Sequence, residues 1–531
     1  MRVHAGIDEA QPAPARKLTM MTIHHSGASA RPSQATVLRA QPPTSRPEVP
    51  SRPVSGPLVA LARKYATVKV ASTSPRPASG APNEARMYGQ ATPIAPAGSP
   101  SATKVRSGML PLIHGSARGP RWMPLTRTSR IIIHPLHGPR WADDRVTDAF
   151  ADELVPLLSQ LVVIDSVNPS LVPGGAGEAE LARFVANWFK RHGIEATLED
   201  VATGRPNVIA VAGGRRPGRT IILNAHLDTV GVAAMHQPFS AAIESGRLFG
   251  RGAMDTKAGL AAFMLATAAA AERQLDGKVI FAGVIDEEFA SLGTESLAAR
   301  FQADAAIVAE PTALEIATCH KGFVWLDIET TGIAAHGSRF EEGVDAIVKM
   351  GRFLGALEAL SSHLEAGPRH PLLGRASVHA SVIEGGQELS SYPALCKLSL
   401  ERRTLPGETP EMIRAEIQAV IDRLSAADPH FRATCRPIFS REPLDVSAQS
   451  DIVKILGMQV RTQLGRDPVI SGLSGWTDAA LLTTAGIPSV VFGPAGEGLH
   501  GAREWVDLES VAQCCAIVLA AITKFCANNG F

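Results

Sequence analysis

Long apolar runs are missing from these 531 residues: no stretch of about 18 consecutive apolar residues is found, so no membrane-spanning helix is expected. Cysteine is scarce. Six in a chain this long are too few for a disulfide scaffold. A secretory signal is also missing, because Met1–Ala10 has no basic segment followed by an apolar one. No internal repeat is visible. Acidic residues are almost absent from one region: residues 1–140 hold 4 Asp+Glu against 19 Lys+Arg, a net of +15. The remainder carries 33 Lys+Arg against 47 Asp+Glu, a net of −14, and the two nearly cancel to the overall +1.

The same 140 residues contain 20 of the 38 prolines and none of the cysteines. Proline removes a backbone donor and restricts its predecessor, and apolar periodicity is nearly lacking, so a packed core is not expected there. Residues 1–143 therefore read as a disordered Pro/Arg/Ser/Ala-rich leader, or as sequence ahead of a later start such as Met109 or Met123. An Arg-rich, acid-poor leader also fits a transit peptide, without the amphipathic pattern, or an arm that binds nucleic acid by counterion release. The remaining ~390 residues, in a chain with 45% hydrophobic residues, can bury a sizeable core. A soluble cytoplasmic protein is the expectation, with nucleic acid and membrane not expected as partners.

From about Asp144 the texture changes. "DELVPLLSQLVVIDSVNP" and "EAELARFVANWFKRHG" carry apolar residues at helical spacing, the second with Gly193 placed as a C-cap. Short apolar runs follow at 207–212, 220–225, 278–285 and 305–309, suited to buried parallel strands, with a helix over 257–273 between them. This alternation predicts an α/β catalytic domain with a mostly parallel sheet flanked by helices, in two parts, 144–317 and 439–531. Between them, residues 318–438 read as an inserted α+β domain with helices near 343–360 and 410–424. Cys514 and Cys515 lie in an apolar helical run and read as core thiols.

Ligands of open α/β sheets gather at the carboxyl ends of the strands, and here those ends carry metal-binding side chains. The strand ending at Ala225 runs into His226-Leu227-Asp228, where residues i and i+2 share a side. His226 could bind a metal while Asp228 accepts its other ring N–H. "GRGAMDTKAGLAA" places Asp255 in a Gly-rich turn before a helix, as a ligand or as a plain N-cap. Asp286-Glu287-Glu288 follow the next strand, where carboxylates repel one another unless a cation or solvent screens them. There Glu288 could bind a metal while Glu287 faces a substrate water. Glu310 ends another strand, and His500 lies in "FGPAGEGLHGAREWV", with Glu504 four residues on. Singly, each has an ordinary alternative. Together, two His and three carboxylates suit a pair of Zn²⁺ or similar ions better than Ca²⁺ or Mg²⁺. Such pairs lie about 3.5–4 Å apart and usually share a bridging carboxylate.

Over about residues 150–531 the motifs "NAHLDTV", "GRGAMDTKAGLAA", "DEEFASLGTESL", "AEPT", "AAHGS", "ERRTLPGE" and "HGAREWV" resemble the co-catalytic zinc amidohydrolases. These include acetylornithine deacetylase, succinyl-diaminopimelate desuccinylase, aminoacylase and carboxypeptidase G. The resemblance implies a zinc-exopeptidase-like domain with an inserted lid and dimerisation domain, two Zn²⁺ per subunit (or Co²⁺ or Mn²⁺), and a homodimer. It implies that His226 and Glu310 bind one metal, Glu288 and His500 the other, that Asp255 bridges, and that Asp228 orients His226. Glu287 would be general base and acid in hydrolysis of the amide of an N-acyl amino acid or small peptide. His336 of "AAHGS" would reach a substrate oxyanion, often across the dimer, and Arg403 would hold a substrate carboxylate. The chain departs from the family pattern at Glu401 and around Ser391, both in the lid. A carboxypeptidase or dipeptidase of the same family is the alternative; a silent scaffold would lack a ligand or the base, and none is lacking.

Overall fold

The computed structural model describes residues 144–527 apart from Gln274, so the expected leader, residues 1–143, lies outside the described residues. In chain order, α1 (Asp144–Val163) and α2 (Ala179–Arg191) precede β1 (Ala196–Ala202), β2 (Arg205–Gly213), β3 (Thr220–His226) and α3 (Ala258–Glu272). Next come β4 (Lys278–Val284), α4 (Leu292–Arg300), β5 (Ala305–Val308) and β6 (Ile316–His320). A second lobe holds β7 (Gly322–Thr331), α5 (Ala346–Ala366), β8 (Ser377–Gly385), β9 (Leu395–Thr404), α6 (Pro410–Ala427) and β10 (Ala433–Arg441). The chain returns through β11 (Leu444–Asp445), α7 (Asp451–Leu464), β12 (Ile470–Leu473), α8 (Ala479–Thr484), β13 (Ser489–Val491) and α9 (Leu508–Phe525).

The large sheet runs β1-β2-β4-β3-β5-β13-β6-β11, with β12 beside β6. Its centre is parallel: β3 pairs with β4 and β5, and β13 pairs with β5. Strand β2, expected to be parallel, is antiparallel to both β1 and β4. A strand covered on both faces reads as a continuous apolar run whatever its direction, so periodicity could not separate the two cases. Alternation along β3 feeds two cores. Ile221, Leu223 and Ala225 face one with α1, α3 and α9, while Ile222 faces another with α4 and α8.

By length and composition alone helix α9 could cross a membrane. Its apolar residues, Cys514 and Cys515 among them, are instead buried in the catalytic core, and burial raises both thiols.

The second lobe is an antiparallel sheet ordered β8-β9-β7-β10, backed by α5 and α6 over its own core. The change of sheet falls at Lys321, between β6 and β7, and β10 continues to Arg441. Those limits lie three residues later than the expected 318–438 at both ends, because the flanking strands share one texture and the sequence does not mark the switch.

Candidate metal centre

His226 ends β3, Glu287 and Glu288 follow β4, Glu310 follows β5, and the loop carrying His500 follows β13. All four strands are in the large sheet, and their carboxyl ends meet there. Asp255 arrives from the side. A four-stranded antiparallel sheet of Ala242–Glu244, Arg247–Phe249, Trp505–Asp507 and Gly496–Glu497 staples the loop before α3 to the loop of His500. Gly252 lies at φ 79°, where an added Cβ would stand 2.7 Å from the Thr229 methyl, so this turn needs glycine. Asp255 caps no helix: α3 starts at Ala258 with Lys257 at its N-cap position.

The ligand-type atoms converge on Asp255. His226 Nε2 lies 3.1 Å from Asp255 Oδ1, and His500 Nε2 lies 3.0 Å from Asp255 Oδ2. Outside this pair, Glu310 Oε1 is 3.7 Å from His226 Nε2, and Glu288 Oε2 is 3.3 Å from His500 Nε2. His226, Asp255 and Glu288 present atoms within 4.8 Å of one another, and so do His226, Glu287 and Glu310. Glu288 Oε1 is buried with no hydrogen-bond partner among the described residues. A carboxylate oxygen left bare in a nest of N and O donors fits a divalent cation, and this donor set suits zinc-like ions.

The charges point the same way. Burial, with Glu310 next in importance, pushes the Glu287 carboxyl well above its ordinary value, and burial does the same to Glu310. Burial also opposes ionisation of Asp255, yet the hydrogen bonds to His226 and His500 hold it low. Hydrogen bonds to Asp255 and Glu288 raise His500 to about 10. So many carboxylates packed together repel, and a cation among them relieves that repulsion.

Asp228 departs from expectation. The ring Nδ1 of His226 is 2.9 Å from the backbone carbonyl of Asp228, while the carboxylate is 3.8 Å away. The carboxylate instead accepts the N–H groups of Glu287 and Glu288, both at 3.1 Å, and Asn168 Nδ2 at 2.8 Å. The sharp turn after β4, with Asp286 at φ 70°, aims two successive N–H groups at one acceptor, and that demand outweighs the imidazole.

Sequence reasoning assigned no role to the groups behind these ligands. Arg205 donates to both oxygens of buried Glu178, at 2.5 and 2.8 Å, and to Asp286 at 2.9 Å. Asn168 joins Asp286 to Asp228. Glu504, also buried, accepts from the N–H groups of Gly252, Met254 and Asp255 and from Arg251, fixing the Asp255 loop. Its place four residues after His500 in a glycine-rich loop was the only sequence signal.

A pocket of about 420 Å³ opens onto the cluster and is shared between the lobes. Arg403 lines it, with Glu401 on its Nε at 2.6 Å. His336 does not line it: it is exposed in the second lobe and hydrogen-bonded to Ser338, and its segment bridges to Ser391.

Two lobes that share a pocket, with a cluster of metal-binding side chains on its catalytic side, fit a metal-dependent enzyme. The chain matches the family described as Peptidase family M20/M25/M40 over residues 222–524. It is 30% identical over 386 residues to the acetylornithine deacetylase of Myxococcus xanthus, covering 70% of this chain and 97% of that one. It is 29% identical over 416 residues to the N-formyl-4-amino-5-aminomethyl-2-methylpyrimidine deformylase of Halalkalibacterium halodurans, covering 71% and 96%. A tripeptidase structure from Staphylococcus aureus superposes with a TM-score of 0.59 at 21% identity, over 71% of this chain and 98% of that one. The chain belongs to peptidase family M20/M25/M40 and is a metallohydrolase with a catalytic and a lid domain.

Proposed function

We propose that the chain is a dinuclear hydrolase that cleaves the amide of N-acyl amino acids, with zinc in both sites and Co²⁺ or Mn²⁺ as ions the same donors accept. The observation that carries this reading is Asp255 held between His226 and His500, each with its own outer carboxylate, Glu310 or Glu288. His226 and Glu310 would hold one ion and His500 and Glu288 the other, with Asp255 available to both. When bound, such a pair would supply Lewis acidity toward the scissile carbonyl and toward a nearby water.

The chain's own groups do the rest. Glu287 takes a proton from that water on its carboxylate and delivers it to the amide nitrogen as the C–N bond breaks. Its raised affinity for protons supports that double role. Asp228 holds the Glu287 and Glu288 backbone in register, and Arg403 pairs with the substrate carboxylate. The relatives named above, a deacetylase and a deformylase, support acyl removal. A carboxyl end beside Arg403 would equally suit a carboxypeptidase or dipeptidase, the second reading. The free cysteines fit a reducing compartment, the cytoplasm. A homodimer is part of the proposal, because His336 reaches a substrate oxyanion only if a second copy presents it.

The test is a panel of N-acetyl amino acids and dipeptides, run on enzyme stripped by a chelator and then reloaded. Hydrolysis of acetyl compounds that vanishes on stripping and returns with Zn²⁺ is expected. Turnover of dipeptides alone would replace the first reading with the second, and turnover unaffected by stripping would overturn both.

A further inference from the structure

The pocket floor is metal-binding, but its lid side has a different chemistry. The sequence is poor in aromatic residues, 5% overall, yet Phe289, Phe323, Trp325, Phe439 and Trp476 all line this one pocket. The lid sheet explains how. Val324, Leu326 and Ile328 of β7 face the helices and the lid core, so by alternation Phe323 and Trp325 face the other way. On that same face the register sets Arg403 of β9 opposite Phe323 and Glu401 opposite Trp325. On the other side, β10 sets Arg441 opposite Phe323 and Phe439 opposite Trp325. The register shifts between Pro437 and Phe439, a bulge that brings Phe439 onto the pocket face.

Four of these rings, Phe323, Trp325, Phe439 and Trp476, form one cluster. Phe323 and Trp325 have centroids 5.1 Å apart, Trp325 and Phe439 5.5 Å, and Phe323 and Trp476 6.4 Å at an interplanar angle of 89°. The cluster is pinned by polar contacts at its edges. Glu401 accepts from Trp325 Nε1 at 2.8 Å while it pairs with Arg403, and Trp476 Nε1 donates to the Glu442 carbonyl. The Arg441 guanidinium lies 4.5 Å from the Phe439 ring centre and is anchored by Glu295.

Resting on the reading above, we propose that this enzyme selects N-acyl amino acids with an aromatic side chain. The substrate ring packs on the Phe323, Trp325, Phe439 and Trp476 wall, and the carboxylate meets Arg403. Arg403 stands 5.3 Å from the Phe323 ring centre, so carboxylate and ring are recognised side by side, as two groups on one α-carbon must be. The acyl amide then points away from the lid sheet, toward Glu287 and the ligand cluster that line the same pocket. Aromatic pairs gain about 0.5–1.5 kcal/mol beyond their area, about two- to tenfold per ring contact. A lysine-like or ornithine side chain would leave the ring wall without an apolar partner, and its ammonium would meet guanidinium groups whose carboxylate partners, Glu401 and Glu295, are already engaged.

The experiment compares kcat/KM for the N-acetyl derivatives of L-phenylalanine, L-tryptophan, L-alanine and L-ornithine in the metal-loaded enzyme. It repeats the comparison in Trp476→Leu and Phe439→Leu, with Trp476→Phe as a variant that keeps a ring. Affinity for N-acetyl-L-phenylalanine and N-acetyl-L-alanine is measured by calorimetry on Glu287→Gln, where turnover plays no part. We expect the aromatic compounds to lead alanine by about tenfold or more. The aromatic-to-alanine ratio should fall about two- to tenfold in each leucine variant, and Trp476→Phe should restore most of it. A preference for ornithine or alanine, or a ratio unmoved in both leucine variants, would overturn the proposal. If no acetyl compound is hydrolysed, the amide-cleavage reading fails separately; the aromatic site then stands if calorimetry still favours the phenylalanine compound and falls if it does not.

Discussion

Arg205 shows how much of this site depends on a residue that touches neither substrate nor ligand atoms. Its guanidinium pairs with both Glu178 and Asp286, two carboxylates with fully buried side chains, and Asp286 adjoins the Glu287-Glu288 pair. Removing one partner of such a group strands buried charge, at about 3–5 kcal/mol. Arg205→Met is therefore expected to lower unfolding stability by that order in a denaturant titration. It should also weaken metal affinity about 10–100-fold, as loss of a partner behind the ligands does. Unchanged affinity would show that the β4 turn holds its shape without Arg205. At this scale the ligands were legible and their supports were not. His226, Glu288 and Glu310 stand out because carboxylates and imidazoles at strand ends are unusual. Arg205 lies in β2, far from them in sequence, and nothing local marks its partners. The Asp228 carboxylate was read as the partner of an imidazole, and only the backbone path after β4 reveals its two N–H donors.

Among the described elements, β8 is an edge strand of the lid sheet that stands out for its exposure. It has a partner on one side only, β9, and its residues from His379 to Gly385 are exposed. Val382 and Ile383 are about half exposed, and Ile347 and Val348 at the start of α5 add further exposed apolar area. A long edge strand with apolar side chains invites pairing with another chain. A second copy joined here would extend the lid sheet, and under the proposed homodimer it would be the arrangement that gives His336 a role. The double variant Ile347→Lys/Ile383→Lys is expected to run as a single chain by light scattering, where the parent runs as two, and to lose activity along with the dimer. A parent that is already a single chain would remove the homodimer from the account. Legibility at this scale followed texture. Helices α1, α2, α3, α5, α6 and α9 were plain from their spacing, whereas α4 and α7 were not. Strand direction and the point of sheet exchange at Lys321 were not legible either, because they depend on partners that no local pattern names.

Across the whole molecule, two lobes with separate cores enclose one pocket, metal-binding side chains on the catalytic side and rings with guanidinium groups on the lid side. The order of motifs along the chain was enough to expect that architecture, because four of the five ligands end or follow a strand of one sheet. The aromatic wall was not legible, since its residues come from β7, β10 and the turns near 289 and 476, and meet only after the lid sheet forms. The central claim is that the cluster holds two ions and that Glu287 moves the proton. The most direct measurement is metal content and turnover of the parent and Glu287→Gln, prepared identically. The account predicts about two ions per chain in both proteins, with kcat lower by about 10²–10⁴-fold in the variant. A variant that keeps near-parental kcat, or a parent that binds no more than one ion and still turns over fully, would contradict it.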